Sequence, residues 1–387
     1  MIDDNNKKSG IKIESKVVHG YKGYDPLTGA ISIPIYQTAT FRHSALYEKA
    51  GYDYSRVQNP TREELEDTIA ILEGGKYGFA FSSGLAAVVA IFSMLRAGDH
   101  VVVSDDLYGG TYRLIEEIWV KYNTEFTYVD TSRVEKVEEA LRPNTRMVFI
   151  ETPTNPMMKV ADIAAIVGLV KSRGILTVVD NTFLTPFFQR PIEFGADIVI
   201  HSATKFLAGH HDTMAGLVVV EKESLAEKLR LILKTEGSGL SPFDSWLVLR
   251  GIKTLALRME RHQKNAVMVA DWLKTHPKVE RVYFVGLPEH ESYQISKRQS
   301  DGFGGMISFT VKDVALVEQV LQKVELIIFA ESLGGTESLI TYPMVQTHAS
   351  IPQEIRERVG ITDKLLRLSV GIENVEDIIN DLDQALA

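Results

Sequence analysis

Ser202-Ala203-Thr204-Lys205 follows the apolar run Asp197–Ile200 and leads into Gly209 and His210. A short strand with this pattern delivers two hydroxyls and one amine to a turn. A lysine whose apolar neighbours depress its pKa can condense with an aldehyde, and hydroxyls beside it can hold a phosphate. A surface lysine after an edge strand has the same local pattern. The stretch His201–His210 therefore needs support from other parts of the chain.

Asp180 supplies some of it. It closes the apolar run Ile175-Leu176-Thr177-Val178-Val179, where a carboxylate is costly to bury without a cation. A protonated pyridine nitrogen would be such a partner; a helix cap or a nearby arginine would serve as well. Ser82-Ser83-Gly84-Leu85 reads as a strand-to-helix turn, whose glycine admits close backbone approach and whose helix N-terminus favours an anion. Ser83, Gly84, Leu85, Ser202, Thr204 and Arg56 together make a set of phosphate donors, although a Ser-Ser-Gly turn alone is also an ordinary helix cap. Tyr108, before Gly109-Gly110, can stack on a flat ring or pack over its own turn. An aldehyde, a phosphate and a ring nitrogen in one molecule describe pyridoxal 5′-phosphate. For an amino-acid substrate, Arg367 offers a planar fork suited to a carboxylate, and Arg113 is a second candidate. Arg367 lies in Leu365-Leu366-Arg367-Leu368-Ser369-Val370, whose alternation points it away from its apolar neighbours. Glu331 and Ser332 close another candidate strand.

The elements that must position these residues are short apolar runs alternating with amphipathic stretches. Strands are expected at 78–81, 100–104, 125–129, 146–151, 175–180, 197–201 and 217–220. Helices are expected at 62–72, with Thr61 as its cap, and at 85–95, 111–122, 134–141 and 163–172. That order argues a mostly parallel α/β sheet covered on both faces, with ligands beyond the carboxyl ends of its strands. The candidate residues fall at those ends. Residues 1–55 carry no sustained period and read as an extended arm lying on a neighbouring subunit. Residues 56–245 form the α/β domain. Residues 246–387 form a smaller α+β domain with a helix over 255–274 and strands at 306–311, 326–330 and 365–370.

The 387-residue length suits this two-domain plan. A net charge of −9 without a basic stripe excludes nucleic acid as a partner. No cysteine is present, which removes disulfides, thiolate nucleophiles and cysteine-bound metals. His210-His211-Asp212 is the one tight cluster of metal-binding types, too short a loop to converge on an ion, so no metal is expected. The polar N-terminus lacks a secretory pattern and no run reaches membrane-spanning length, so a cytoplasmic location is expected.

Taken in order, Tyr54-Ser55-Arg56 with Asn59-Pro60-Thr61-Arg62, Ser83-Gly84, Tyr108-Gly109-Gly110-Thr111, Glu151-Thr152-Pro153-Thr154-Asn155-Pro156, Val179-Asp180-Asn181-Thr182-Phe183, Ser202-Ala203-Thr204-Lys205, Glu331-Ser332-Leu333-Gly334-Gly335 and Arg367-Leu368-Ser369-Val370-Gly371 resemble the Cys/Met-metabolism pyridoxal-phosphate enzymes. The resemblance covers residues 15–387. It implies fold type I, the aspartate-aminotransferase-like fold, in a homotetramer built as a dimer of dimers. It implies Lys205 as the imine-forming residue, Asp180 on the ring nitrogen and Tyr108 on the ring face. It further implies a phosphate held by Gly84, Leu85, Ser202 and Thr204, with Tyr54 and Arg56 reaching in from a neighbouring subunit, and a substrate carboxylate held by Asn155 and Arg367, with Asn155 also near the phenolic oxygen.

Within that family the signals for subtype are fewer. Gly110 stands where methionine γ-lyases usually carry cysteine. Many β-lyases lack an acid at the place of Glu331, which leans the reading toward γ-chemistry, and Asp53 before Tyr54 is similar to the synthases. The resulting expectation is γ-replacement on an activated homoserine ester by cysteine, giving cystathionine. Cystathionine γ-lyase and then β-lyase are the alternatives.

Overall fold

A computed structural model describes residues 10–46, 51–349 and 351–387. The first nine residues of the N-terminal arm, and its residues 47–50, lie outside them. Seven strands form the larger sheet: β1 (Tyr77–Phe81), β2 (His100–Ser104), β3 (Glu125–Val129), β4 (Thr145–Glu151), β5 (Leu176–Asp180), β6 (Ile198–Ser202) and β7 (Gly216–Val220). Their order is β1-β7-β6-β5-β4-β2-β3. Neighbours pair parallel from β6 to β3, while β7 runs antiparallel to both β6 and β1.

The β-branched runs explain why this sheet is central. Successive side chains leave opposite faces, and here both faces are dry. Val102, Val148, Ile150, Val179, Val199 and Leu217 join one apolar layer. Their chain neighbours Val101, Val103, Phe149, Val178, Ile200 and Val218 join the other. Each fully buried side chain of this kind contributes about 1.5–3 kcal/mol. The fold type I architecture expected from sequence is the one found.

A second sheet is built from β8 (Val279–Tyr283), β9 (Met306–Val311), β10 (Ile328–Phe329), β11 (Leu339–Thr341) and β12 (Leu365–Ser369), in the order β10-β11-β12-β9-β8. The long helix Leu255–Thr275 packs on β8 and β9. Among the described residues no helix is long and apolar enough to cross a membrane.

Several expectations are corrected. The arm is not extended throughout: α1 (Ile13–His19) buries Val17 in the main core and packs on α2 (Pro60–Glu73) and on the helix Leu255–Thr275. Backbone amides of Tyr21, Lys22 and Tyr36 donate to Thr68, Glu64 and Thr61 of α2. Asn59, not Thr61, caps α2; its Oδ1 accepts from the Thr61 amide at 3.0 Å, with Pro60 in the first turn. The strand expected at 326–330 shrinks to Ile328–Phe329. The amides of Glu325, Leu326 and Ile327 are taken by the Asp381 carboxylate at 2.8–3.0 Å and so are lost to a ladder. The alternation in β12 is not one of burial: every residue is buried, Arg367 at 1% exposed. The short strands β8 and β11 were not foreseen.

Candidate active site

The parallel strands β4, β5 and β6 end side by side in Glu151, Asp180 and Ser202, and the chain after β6 turns immediately through Lys205. A cavity of about 940 Å³ opens over these ends. Its wall is completed by the first turn of α3 (Gly84–Phe92), by Tyr108 at the start of α4 (Gly109–Glu117), and by Glu331, Ser332 and Arg367 from the second sheet. Residues far apart in sequence thus meet in one space, as the parallel sheet requires.

Lys205 is largely enclosed. Its Nζ lies 3.0 Å from Ser332 Oγ. Burial, and then the positive charge of Arg367, push its pKa down from 10.5 to about 8, against the pull of Glu331. The amine is therefore easily neutralised, as a nucleophile must be. The turn that carries it is held from behind by Arg258. This guanidinium is 3% exposed and donates to the carbonyls of Leu207 at 3.2 Å and Gly251 at 2.8 Å, and also to Phe206. A Cβ on Gly209 would lie 2.1 Å from Arg258 Nη1, so the turn closes there on glycine.

Asp180 and Glu151 are register partners on adjacent strands. Burial raises the pKa of both. Asp180 receives two hydrogen bonds from Thr182, the amide at 3.0 Å and the hydroxyl at 2.5 Å, and these favour its charged form. Glu151 accepts from the Tyr108 amide at 2.9 Å, but burial and the neighbouring Asp180 charge push its pKa well up. Glu151 is raised the more strongly, so it is the partner that takes a proton first, while the Thr182 bonds favour charge on Asp180.

The anion side of the cavity is the start of α3. Ser83 caps it, its Oγ accepting from the Ala86 amide at 3.1 Å. The amides of Gly84 and Leu85 come before the helix's own ladder. A Cβ at residue 84 would lie 2.9 Å from the Ser202 Cβ, so only glycine lets this turn approach Ser202. The Thr204 hydroxyl is committed to the Ala215 backbone, donating to its carbonyl at 3.3 Å and accepting from its amide at 3.0 Å. Tyr108 is 42% exposed; a Cβ on Gly110 would lie 2.4 Å from its ring, so the ring lies over this glycine.

Opposite, Arg367 donates from Nη1 to Asn155 Oδ1 at 2.8 Å, and from Nη2 to the Ser332 carbonyl at 3.0 Å and the Thr341 hydroxyl at 3.2 Å. Its Nε is buried without a partner. Burial lowers its pKa to about 10, opposed by Tyr108 and Glu331, which leaves it charged at neutral pH. Asn155 is fixed in turn by His348, whose Nε2 lies 3.0 Å from its carbonyl oxygen.

Four expected residues are not in this cavity. Arg113 is exposed on α4. Asp53 faces His43 at 3.4 Å. Arg56 lies over the Tyr54 ring at 5.5 Å and donates to the Lys234 carbonyl. None of the four lines the cavity of its own chain. Conversely, Glu151, Thr182 and His211 line it and were not among the expected site residues; His211 was named only in a cluster judged not to bind metal. Glu151 ends its strand as Asp180 does, and that parallel was the signal available.

Residues 14–387 match the family described as Cys/Met metabolism PLP-dependent enzymes. The chain belongs to that family. Cystathionine β-lyase of Lactococcus lactis subsp. cremoris strain MG1363 is 49% identical over 374 residues, 97% of this chain and 98% of that protein. The cystathionine γ-synthase/O-acetylhomoserine (thiol)-lyase of Bacillus subtilis strain 168 is 49% identical, over 97% of this chain and 96% of its own. The crystal structure of cystathionine γ-lyase from Lactobacillus plantarum complexed with L-serine superposes with a TM-score of 0.95 at 44% identity, covering 97% of this chain and 98% of that one. Lyase names are the more frequent among relatives of this similarity.

As a member of this family the chain uses pyridoxal 5′-phosphate, and its cavity fits that group. A lysine with a lowered pKa suits the aldehyde, a half-buried aspartate held by Thr182 suits a protonated ring nitrogen, and the Gly84 cradle beside Ser202 suits a phosphate.

Proposed function

We propose that this chain cleaves L-cystathionine at the Cγ–S bond, releasing cysteine, 2-oxobutyrate and ammonia with the uptake of one water. Pyridoxal phosphate, when bound, supplies an electrophilic carbon for the substrate amine and a ring that accepts electrons from carbon acids. The work of the chain's own residues is positional and protonic. Arg367, oriented by Asn155, takes the substrate carboxylate with the donors its three hydrogen bonds leave over. Lys205 Nζ, oriented by Ser332, removes the Cα proton and redelivers it. Asp180 would keep a proton on the pyridine nitrogen, and Gly84, Leu85 and Ser202 would hold the phosphate, beside Thr204, whose hydroxyl is spent on Ala215. Tyr108 covers the ring and moves a proton at the departing sulfur.

The observation that carries the choice of reaction is Glu331, an exposed carboxylate on the cavity wall one residue from Ser332. It is placed to attract the ammonium at the distal end of cystathionine. The lyase names of the relatives support cleavage ahead of the γ-replacement expected from sequence. Replacement stands second, favoured by the likeness to the Bacillus subtilis synthase/thiol-lyase. Product analysis decides. Cystathionine alone should give cysteine and 2-oxobutyrate. Homocysteine and pyruvate would instead mark β-cleavage, and turnover only with a homoserine ester plus cysteine would mark replacement.

Tyr54 and Arg56 are proposed to complete the phosphate site of a second copy, in a homotetramer made of two such dimers. Leu27, Ile31 and Leu46 of the arm are 81%, 74% and 81% exposed, apolar surface that a second copy would cover. Mixing inactive Arg56→Ala with inactive Lys205→Met subunits should restore activity, because one site of each hybrid dimer is then intact. Verified hybrids without activity would overturn the shared site.

A further inference from the structure

The pair His210-His211 at the end of the Lys205 turn has no part in the site as built above. His210 is spent on its own loop, Nδ1 lying 2.6 Å from the Ala208 carbonyl oxygen. His211 lines the cavity that holds Lys205 and Ser332, with a left-handed backbone, φ +55°, uncommon for a residue bearing a Cβ. Its ring rests on bare backbone: a Cβ on Gly335 would lie 1.9 Å from His211 Nε2. That same Nε2 lies 3.8 Å from Glu337 Oε2.

Gly335 and Glu337 belong to the loop that presents Ser332. This loop is tied to the Lys205 turn in two further places. The Thr336 amide donates to the Gly209 carbonyl at 3.1 Å, and Gly334 packs so closely that a Cβ would sit 2.7 Å from the Phe206 nitrogen. Ser332 itself has φ +97°, a conformation that persists only where its surroundings over-determine it. The backbone ties hold the centre of the loop. His211 is the side chain that grips its outer half.

We propose that His211 is a positioning residue for Lys205: by packing on Gly335 it keeps the strained Ser332 where its hydroxyl meets the Lys205 amine. Nothing in the family match assigns it this role. The charged and titratable groups around its ring are Glu337, Lys205, Asp212 and His210. Burial, which leads, and the Lys205 charge hold the imidazole below its ordinary pKa against Glu337. The clamp at neutral pH is therefore an uncharged ring on a flat backbone. The inference rests on the proposed reading of Lys205 as the reactive amine.

The test is a double-mutant cycle in holoenzyme, reading kcat, KM and the pH midpoint of the cofactor's absorbance. His211→Ala should lower kcat about 10-fold, leave KM within about twofold and move the midpoint by about half a unit or more, as expected when a tuned proton-transfer group loses its orientation. In a Ser332→Ala background the same substitution should change neither quantity further, because the two residues act as one unit. His211→Gln, which keeps a planar donor over Gly335, should recover most of the loss. Gly335→Ala, which forces the ring away without touching the histidine, should reproduce it and serves if His211→Ala does not fold. Equal effects with and without Ser332, or a lowered Tm with kcat and midpoint unchanged, would overturn the proposal. Failure of the underlying reading shows separately, as an absorbance spectrum that Lys205→Met leaves unaltered.

Discussion

Lys205→Met is expected to lower kcat by at least about 10³-fold while making the apoprotein more stable at neutral pH. The loss of turnover follows from removing the nucleophile and proton carrier together. The gain in stability follows from burial. In the folded chain the amine titrates near 8, against 10.5 when exposed. Between those values the unfolded chain binds a proton that the folded chain has released, so wild-type stability rises with pH across the window. Below pH 8 both forms are charged, and the whole desolvation cost falls on the folded state. At about 1.4 kcal/mol per pKa unit this is about 3 kcal/mol, less about 1 kcal/mol for the hydrogen bond to Ser332. The methionine variant escapes that cost. Unfolding free energies of the two apoproteins from denaturant titration should differ by about 2 kcal/mol at pH 7 and converge toward about pH 10. A gap that stays constant with pH would sink the assignment of a desolvated amine.

Arg367→Lys should raise KM for the amino-acid substrate by about 10²-fold, equivalent to about 3 kcal/mol. Arg367 makes three hydrogen bonds that lock its plane, to Asn155, Ser332 and Thr341, and two of its five N–H donors stay uncommitted. A lysine keeps the charge and loses the fork, so it cannot both be held and present a donor edge. The control is a substrate analogue in which the carboxylate is absent: its much weaker turnover should be nearly indifferent to the substitution. If both compounds suffer equally, Arg367 supports the fold of β12 and not the carboxylate.

Much of this site was legible because parallel sheets place chemistry by rule. Lys205, Asp180 and Ser202 could be placed because β-branched runs mark strands and the residues just past them face the ligand side. Arg367 was legible by type and by strand, but its complete burial was not. A single strand cannot reveal that its second face is covered, here by the larger domain through Asn155 and the Ser332 loop. Glu151 stayed hidden for the opposite reason: as one acid in a motif it looks structural until the register sets it beside Asp180. The helix α1 is too short, at seven residues, for its period to show; only Val17, seated against α2, requires it. The truncated β10 depended on Asp381, some fifty residues downstream, a contact no local pattern contains. His201 was read as part of the lysine stretch. The fold turns it instead to Glu73, 2.6 Å away and equally buried, with Asn181 donating to the same carboxylate oxygen at 2.9 Å. Residues next in sequence to Asp180 and Ser202 thus brace the two strands from behind.

Arg258 has a mechanical consequence. It lies on the helix Leu255–Thr275, whose 21 residues form a rod roughly 30 Å long. Near one end Arg258 grips the carbonyls beside Lys205. One and two turns further on, His262 Nδ1 lies 2.7 Å from the Val370 carbonyl oxygen, and Asn265 donates to the Gly371 carbonyl at 3.0 Å, directly after the strand that carries Arg367. Lys205 and Arg367 follow or lie in strands of different sheets, yet both segments are bolted to one stiff bar. The spacing between the two segments is therefore set by the length of one helix.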